Sequence, residues 1–240
     1  MRALLLGLTF ALLVPAAASA QLVLTLRQGK GWVEASDLEL RRPGGTDVTL
    51  RDVNWRDESY RSPIYYGLGL TWWLPRHREW GLGVDFTHPK AILETGETAF
   101  AEGRLAGAPI AGPVPVDAVV PALQFSHGLN LATVNGYRRW WAAPREEQTT
   151  GVALYLGIGA GVVVPHVEAR IGDVRTYEYQ LGGPAARGVV GLDVPFDEHL
   201  SLVGEAILSW ADVRADLADG GELRTRLLVP QLSLGLALRD

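Results

Sequence analysis

The sequence has no cysteine and only two lysines, Lys30 and Lys90. Without thiols the chain cannot form disulfide bonds or offer thiolate ligands to a metal. Its formal net charge is −5 and it carries no block of basic residues, so we expect no nucleic-acid partner. Beyond residue 20, no stretch reaches the ~18 consecutive apolar residues that a membrane-spanning helix needs.

The first twenty residues predict export. A short basic start, the apolar run "ALLLGLTFALLV" and the small residues "PAAASA" have the order of a secretory signal peptide, with cleavage expected after Ala20. We therefore expect a signal peptide at 1–20 and one mature domain at 21–240.

Large and small residues alternate along the mature chain. In "GVALYLGIGAGVVV", Leu154, Leu156 and Ile158 alternate with Gly157 and Gly159, and "PIYYGLGLTWWL" follows the same rule. A period of two predicts β-strands. Bulky apolar residues on one face and small or polar residues on the other are typical of a barrel that turns its apolar face to lipid. A secreted β-sandwich with that face inward is the alternative.

The predicted fold class is all-β: an eight-stranded antiparallel transmembrane β-barrel of the outer-membrane type. Its predicted strands are roughly 21–28, 62–74, 80–93, 120–140, 151–167, 177–195, 200–213 and 223–238. The short connections 75–79 and 196–199 are predicted periplasmic turns, and 29–61 and 94–119 are predicted extracellular loops. We expect a monomer in the outer membrane, with membrane lipid, including lipid A, as its partner.

Three of the five histidines fall near the extracellular ends of neighbouring predicted strands, namely His88, His127 and His166. If the alternation continues unbroken, all three imidazoles share the outward, lipid-facing side. Polar side chains there are costly, so their grouping indicates a function. Inward placement stays open, because Pro89 and Pro165 could introduce bulges that reverse a side chain.

These histidines suit a metal-assisted reaction. Three imidazoles, with Glu168 on the same face as His166, are suitable ligands for Fe, Cu or Zn. With an open coordination position, such a site could act on bound water or oxygen. We therefore predict that His88, His127 and His166 are catalytic and, with Glu168, bind a transition metal. The alternative is that each histidine is an interfacial residue without a role.

Other polar residues complete the prediction. Lys90 could bind a substrate phosphate beside His88, or extend its side chain to the interface, and Asn130 is a second predicted substrate contact. Glu205 has lumen parity and is expected to pair with an arginine such as Arg187. Ser126 precedes His127, but neighbouring residues on a strand face opposite ways, which disfavours a direct Ser–His dyad.

Five blocks of the sequence resemble the bacterial outer-membrane lipid A oxidases and related small barrels. They are "YYGLGLTWW", "WGLGVDFTHPKA", "FSHGLNLATVNGYRRW", "GIGAGVVVPHVE" and "YEYQLGGPAA". The resemblance implies O2-dependent oxidation of the proximal glucosamine of lipid A to an aminogluconate unit, with release of hydrogen peroxide. It supplies no catalytic residues, so the histidine site rests on position and parity alone. The alternatives are a lipid A deacylase or acyltransferase using Ser126, and a non-catalytic barrel for adhesion or membrane integrity.

Overall fold

The computed structural model describes residues 21–142 and 151–240, so the predicted signal peptide lies outside the described residues. In chain order the elements are β1 (Gln21–Gly31), β2 (Ser36–Arg42), β3 (Thr46–Val53), β4 (Trp55–Arg56), β5 (Gly67–Trp73), β6 (Trp80–Thr87), β7 (Ala91–Leu93), β8 (Thr98–Leu105), β9 (Ala108–Pro115), α1 (Val116–Val119), β10 (Ala122–Phe125), β11 (Leu131–Trp141), β12 (Ala153–Val163), β13 (His166–Ile171), β14 (Val174–Tyr179), β15 (Gly183–Pro195), β16 (Leu200–Asp216) and β17 (Glu222–Arg239). Among the described residues, no helix is long and apolar enough to cross a membrane.

Eight strands form a closed antiparallel barrel. Their order is β1-β5-β6-β11-β12-β15-β16-β17, and β17 pairs back onto β1. Large apolar side chains cover its outer face, and the four leucines that mark two of the strands are 44–65 % exposed: Leu154, Leu156, Leu232 and Leu234. The predicted eight-stranded transmembrane barrel of the outer-membrane type is thereby confirmed.

The short-turn end of the barrel carries exposed tryptophans. Arg138 lies between the rings of Trp80 and Trp140, with its guanidinium carbon 5.1 and 5.0 Å from their centroids. Aromatic rings at this level are typical of a membrane–water interface. The connections between β5 and β6 and between β15 and β16 are short, as predicted.

A network of four charges fills the barrel lumen. Arg27 donates to Asp85 at 2.5 Å and to Glu205 at 2.6 Å. Arg187 donates to Glu205 at 3.0 Å, which confirms that predicted pair, and its Nε lies 3.5 Å from Asp85. All four side chains are only 2–3 % exposed. The two positive and two negative charges compensate each other, and Tyr155 donates a further bond to Glu205 at 2.6 Å.

The lumen glycines make room for the large lumen side chains. A Cβ on Gly191 would lie 2.0 Å from the Tyr155 ring, and one on Gly157 would lie 2.5 Å from the Tyr137 ring. Small and large residues therefore alternate between neighbouring strands, and the interior is packed rather than open.

Above the barrel the chain folds into a second layered region, which we call the head: residues 32–66, 88–130, 164–182 and 212–226. One of its sheets continues the barrel wall from β17 through β2, β3, β8 and β9. The other has the strand order β14-β13-β10-β7-β4. Between them lies an apolar core whose largest fully buried members are Phe125, Leu38, Leu40, Leu50, Leu123, Leu129, Leu223 and Leu227.

The structure of the head differs from the sequence prediction at four predicted strands and two predicted loops. The predicted strands 80–93, 120–140, 151–167 and 177–195 each combine a barrel strand with a head strand. Their alternation is interrupted where the chain changes sheets, for example at Gly128, which has φ 106°, and Asn130, which has φ 47°. The predicted loops 29–61 and 94–119 hold five strands and a helical turn, because their alternating residues bury an apolar core of their own.

Candidate functional site

All three predicted site histidines lie where the chain passes from the barrel to the head. His88 follows β6, His127 lies between β10 and β11, and His166 is the first residue of β13. Backbone bonds connect these crossings: the His166 amide donates to the Gly128 carbonyl at 3.0 Å, and the Leu129 amide to the Pro89 carbonyl at 2.8 Å. The sequence correctly placed the histidines at one end of three neighbouring barrel strands.

The structure brings two of the histidines together. The ring centroids of His127 and His166 are 4.8 Å apart. Tyr177 and Tyr179 flank His166 at 4.5 and 4.6 Å, edge to face. His127 and both tyrosines are exposed, whereas His166 is buried and its Nδ1 has no hydrogen-bond partner. We call these four residues the His127–His166 cluster.

His88 belongs to a separate contact. Its ring stacks on Tyr66 with centroids 4.8 Å apart, and its Nδ1 lies 2.7 Å from Asn130 Oδ1. Because an amide oxygen only accepts hydrogen bonds, Nδ1 is the donor and Nε2 remains a buried acceptor without a partner. Gly128 is needed here, since a Cβ at that position would lie 2.3 Å from the His88 ring.

The expected outward, lipid-facing orientation does not hold for two of the three imidazoles, whereas His127 is exposed. His88 and His166 are 4 % and 5 % exposed, because the barrel strands end before each histidine and the chain turns into the head. The alternation therefore cannot be extended from the barrel wall to these positions.

The predicted metal ligands do not form a metal-binding group in this geometry. Among residues 21–142 and 151–240, no three His, Cys, Asp or Glu side chains are arranged to hold a metal ion. Glu168 lies instead 3.4 Å from an Arg175 nitrogen. The site of three histidines and a carboxylate stays a prediction, and in this geometry His88 lies apart from the pair of His127 and His166.

The two predicted substrate contacts are engaged within the protein. Lys90 is buried, and its Nζ donates to the Arg61 carbonyl at 2.8 Å. The Asn130 amide donates to the Val164 carbonyl at 3.0 Å while its oxygen accepts from His88. In this conformation both side chains fix the crossing between barrel and head.

Ser126 and His127 are closer than the strand argument allows. Ser126 Oγ lies 3.3 Å from His127 Nδ1. Residues 126–130 form a turn rather than a strand, so neighbouring side chains need not face opposite ways. This contact provides a hydroxyl beside an imidazole on the exposed side of the cluster.

Burial also sets the acid–base behaviour of the site. It lowers the pKa of His88 and of His166 from the ordinary value of 6.5, with the charge of His127 adding to both shifts. Burial likewise lowers the pKa of Lys90. The two buried imidazoles therefore favour their neutral forms.

Sequence reasoning missed Arg27, the residue that joins both carboxylates of the lumen network. Its signal was parity: Arg27 continues the inward series of Val23 and Thr25 on β1. An inward arginine in a narrow barrel requires inward carboxylates, which Asp85 and Glu205 supply.

The closed eight-stranded barrel, its apolar outer face and the charged network in its lumen define the class: a small outer-membrane-type β-barrel with a filled lumen. No family model and no curated protein matches the sequence. Solved structures similar in fold include Neisserial surface protein A (9 % identity, TM-score 0.41, 92 % of this chain and 98 % of that one) and OprG of Pseudomonas aeruginosa (12 %, 0.45, 93 % and 97 %). Another is Ail of Yersinia pestis in complex with the heparin analogue sucrose octasulfate (12 %, 0.38, 92 % and 99 %). At these identities and TM-scores, the likenesses carry no argument about function.

Proposed function

We propose that the chain is a monomeric integral outer-membrane protein that holds its head at the cell surface and acts there without catalysis, in adhesion or in membrane integrity. The observation that carries this proposal is the buried lumen network of Arg27, Asp85, Arg187 and Glu205. A filled lumen argues against a channel, and a separately cored head above the barrel supports a role at the surface.

The orientation follows from the lengths of the connections. In outer-membrane barrels the short turns are periplasmic and the long connections extracellular. The head consists of the long connections, and both ends of the described barrel, at Gln21 and Arg239, lie at the short-turn end. The head therefore faces outward in our proposal.

Two measurements test this assignment. Added protease should cleave the head in intact cells, and the purified protein should give no ionic conductance in planar bilayers. Stable conductance in the unaltered protein would contradict the closed lumen. A head protected from protease in intact cells but cleaved after the outer membrane is permeabilised would contradict surface display.

Oxidation of lipid A is the second candidate, and the His127–His166 cluster is the observation that favours it. The cluster lies directly above the lipid-facing wall, has one exposed and one buried imidazole, and leaves His166 Nδ1 free of protein partners. It also falls within the blocks that resemble the lipid A oxidases. O2 would accept two electrons and two protons from the anomeric carbon of the glucosamine and leave as hydrogen peroxide, and water would open the resulting lactone to give the aminogluconate unit with one more oxygen. The deacylase alternative would use the hydroxyl of Ser126 beside His127.

Mass spectrometry of lipid A from cells with and without the protein separates the three functions. Gain of one oxygen supports the oxidase, loss or gain of an acyl chain supports the hydrolase or transferase, and no change supports the non-catalytic barrel. A His127→Gln variant should abolish either modification. The exposed His77 in a short turn at the opposite end provides the matched control, His77→Gln.

A further inference from the structure

A long furrow crosses the outer wall of the barrel on the side of β15, β16 and β17. Two adjoining concavities of about 860 and 640 Å³ share several lining residues, among them Trp32 and Ala206. The furrow forms because outward positions on these strands are small, namely Gly188, Gly204 and Ala206. Taller side chains stand on both sides and are exposed: Leu154, Leu156, Leu192, Leu232 and Leu234. We call this concavity the β16 furrow.

The strand register leads from the floor of the furrow to two polar residues of β1. Ala206 pairs with Leu232, and Leu232 pairs with Lys30. In the neighbouring row, Gly204 pairs with Leu234, and Leu234 with Gln28. Barrel strands are tilted, so such a row runs obliquely across the wall. Here it ends at the head side of β1.

The head-side end of the furrow combines a cation with aromatic rings. Lys30 Nζ lies 5.3 Å from the Trp32 ring centroid and forms an ion pair with Asp57 Oδ2 at 3.6 Å. Its side chain is 36 % exposed, whereas the other lysine of the chain, Lys90, is buried. Tyr60, which is highly exposed, completes the rim. Tryptophan and tyrosine typically lie at headgroup level, and a lysine stem follows apolar surface to reach it.

We propose that the β16 furrow binds one phosphate-bearing membrane lipid, with an acyl chain along Gly204 and Ala206 and the phosphate at Lys30. The atoms lining a void in a lipid-facing wall lose dispersion contacts unless hydrocarbon fills it. In a membrane that hydrocarbon is a lipid acyl chain. A phosphate supplies a second acceptor for the partly exposed ammonium, whose ion pair with Asp57 is 3.6 Å long. The proposal rests on the membrane placement proposed above but is independent of the His127–His166 cluster.

A second furrow supplies an internal comparison. It has about 540 Å³ and lies on another part of the wall, around Ala132 and Val134, with Leu68 and Val84 opposite. Among the described residues, no basic side chain lines it. It can accept an acyl chain but offers no cation to a phosphate, so we expect no headgroup preference there.

The test uses the full-length protein in nanodiscs with equal amounts of phosphatidylglycerol and phosphatidylcholine, followed by native mass spectrometry of the released protein. We expect a retained lipid with a preference for phosphatidylglycerol of about five-fold, as expected for one lysine near an anionic lipid. Lys30→Gln should remove the preference and Lys30→Arg should keep it. Ala206→Leu should fill the furrow and reduce retention of both lipids.

The controls are Ala132→Leu in the second furrow and Arg41→Gln on the exposed surface of the head, neither of which should change the preference. A preference that survives Lys30→Gln overturns the assigned headgroup site, and a phosphatidylglycerol preference unchanged by Ala206→Leu overturns the assigned furrow. If Ala206→Leu does not fold, Lys30→Gln still decides the phosphate contact. Failure of the unaltered protein to enter nanodiscs contradicts the membrane placement instead of this site.

Discussion

The barrel and the head use the same alternation of large and small residues with opposite outcomes. In the barrel the charges of Arg27 and Glu205 point inward and leucines such as Leu26 point outward. In the head Leu50 is fully buried, and charged residues such as Arg51 lie outside. A period of two specifies a strand but not which face becomes the interior. The surroundings decide, because lipid accepts the apolar face that water excludes.

Removing one charge from the lumen network of the barrel should cause the largest loss in the free energy of unfolding. Arg27→Met leaves the carboxylates of Asp85 and Glu205 with one arginine in place of two, in a site from which water is excluded. We expect a loss of about 3–5 kcal/mol in the free energy of unfolding, measured by urea titration in lipid vesicles.

The matched change in the head is Arg51→Met, whose ion pairs with Asp37 and Glu102 are solvent-exposed. It should cost much less than Arg27→Met, because solvent screens both ion pairs. A double variant, Arg27→Met with Glu205→Gln, keeps one arginine and one carboxylate and should recover part of the loss. Equal losses of unfolding free energy for Arg27→Met and Arg51→Met would contradict the distinction between the buried charges of the barrel and the exposed ion pairs of the head.

Shortening a leucine compares the apolar faces of the two regions. Leu50→Ala creates a cavity in the head core and should cost about 2–5 kcal/mol. Leu26→Ala on the barrel wall should cost much less, because lipid chains are as apolar as leucine and can follow the altered surface. Unfolding titrations of both variants in the same vesicles provide the measurement. A wall variant as costly as the core variant would show that Leu26 packs against protein.

Placing a charge on each outer surface sharpens the comparison further. Ile158, at the middle of β12, is 77 % exposed, and Phe100 on β8 of the head is about half-exposed. Ile158→Arg should cost about 2–4 kcal/mol in a bilayer, the penalty for arginine near the membrane midplane. Phe100→Arg should change stability by less than about 0.5 kcal/mol, as surface substitutions usually do. Similar small effects at both positions would argue that the wall around Ile158 faces water.

Much of the barrel could be predicted because its local pattern and its surroundings agree. Along Leu154–Ile158 of β12 and Leu232–Leu238 of β17, a bulky apolar residue points outward at every second position, so the lipid-facing side of these strands follows from the sequence. The head could not be predicted in the same way. Its strands are short, as in β7 and β10, and a change of sheet is marked by few residues, such as Gly128 and Asn130 with positive φ.

The same limit governs the candidate site. Sequence order placed His88, His127 and His166 at the same end of neighbouring strands, which depends only on barrel topology. Their mutual distances depend on how the crossings turn. The turn at 126–130 directs His127 toward His166, while Asn130 holds His88 separately. Tyr177 and Tyr179 reach the cluster through the pairing of β13 with β14, which strand alternation alone did not suggest.

The smallest expected effect is a pH dependence confined to the head. Burial lowers the pKa of His88 and His166 below 6.5, so near neutral pH both imidazoles are neutral in the folded head. Between the lowered pKa values and about 6.5 the unfolded chain binds more protons than the folded one. The free energy of unfolding should therefore decrease as the pH falls from about 7 to about 5.

Protease sensitivity of the head, measured across this range, should rise on the acidic side while the barrel strands stay protected. His88→Phe, which keeps a ring against Tyr66 but cannot titrate, should flatten the profile even if it lowers stability at neutral pH. His77→Gln, in an exposed turn at the far end of the barrel, should leave the profile unchanged. A profile that keeps its full slope in both His88→Phe and His166→Phe would assign the acid sensitivity to other groups and remove this distinction between head and barrel.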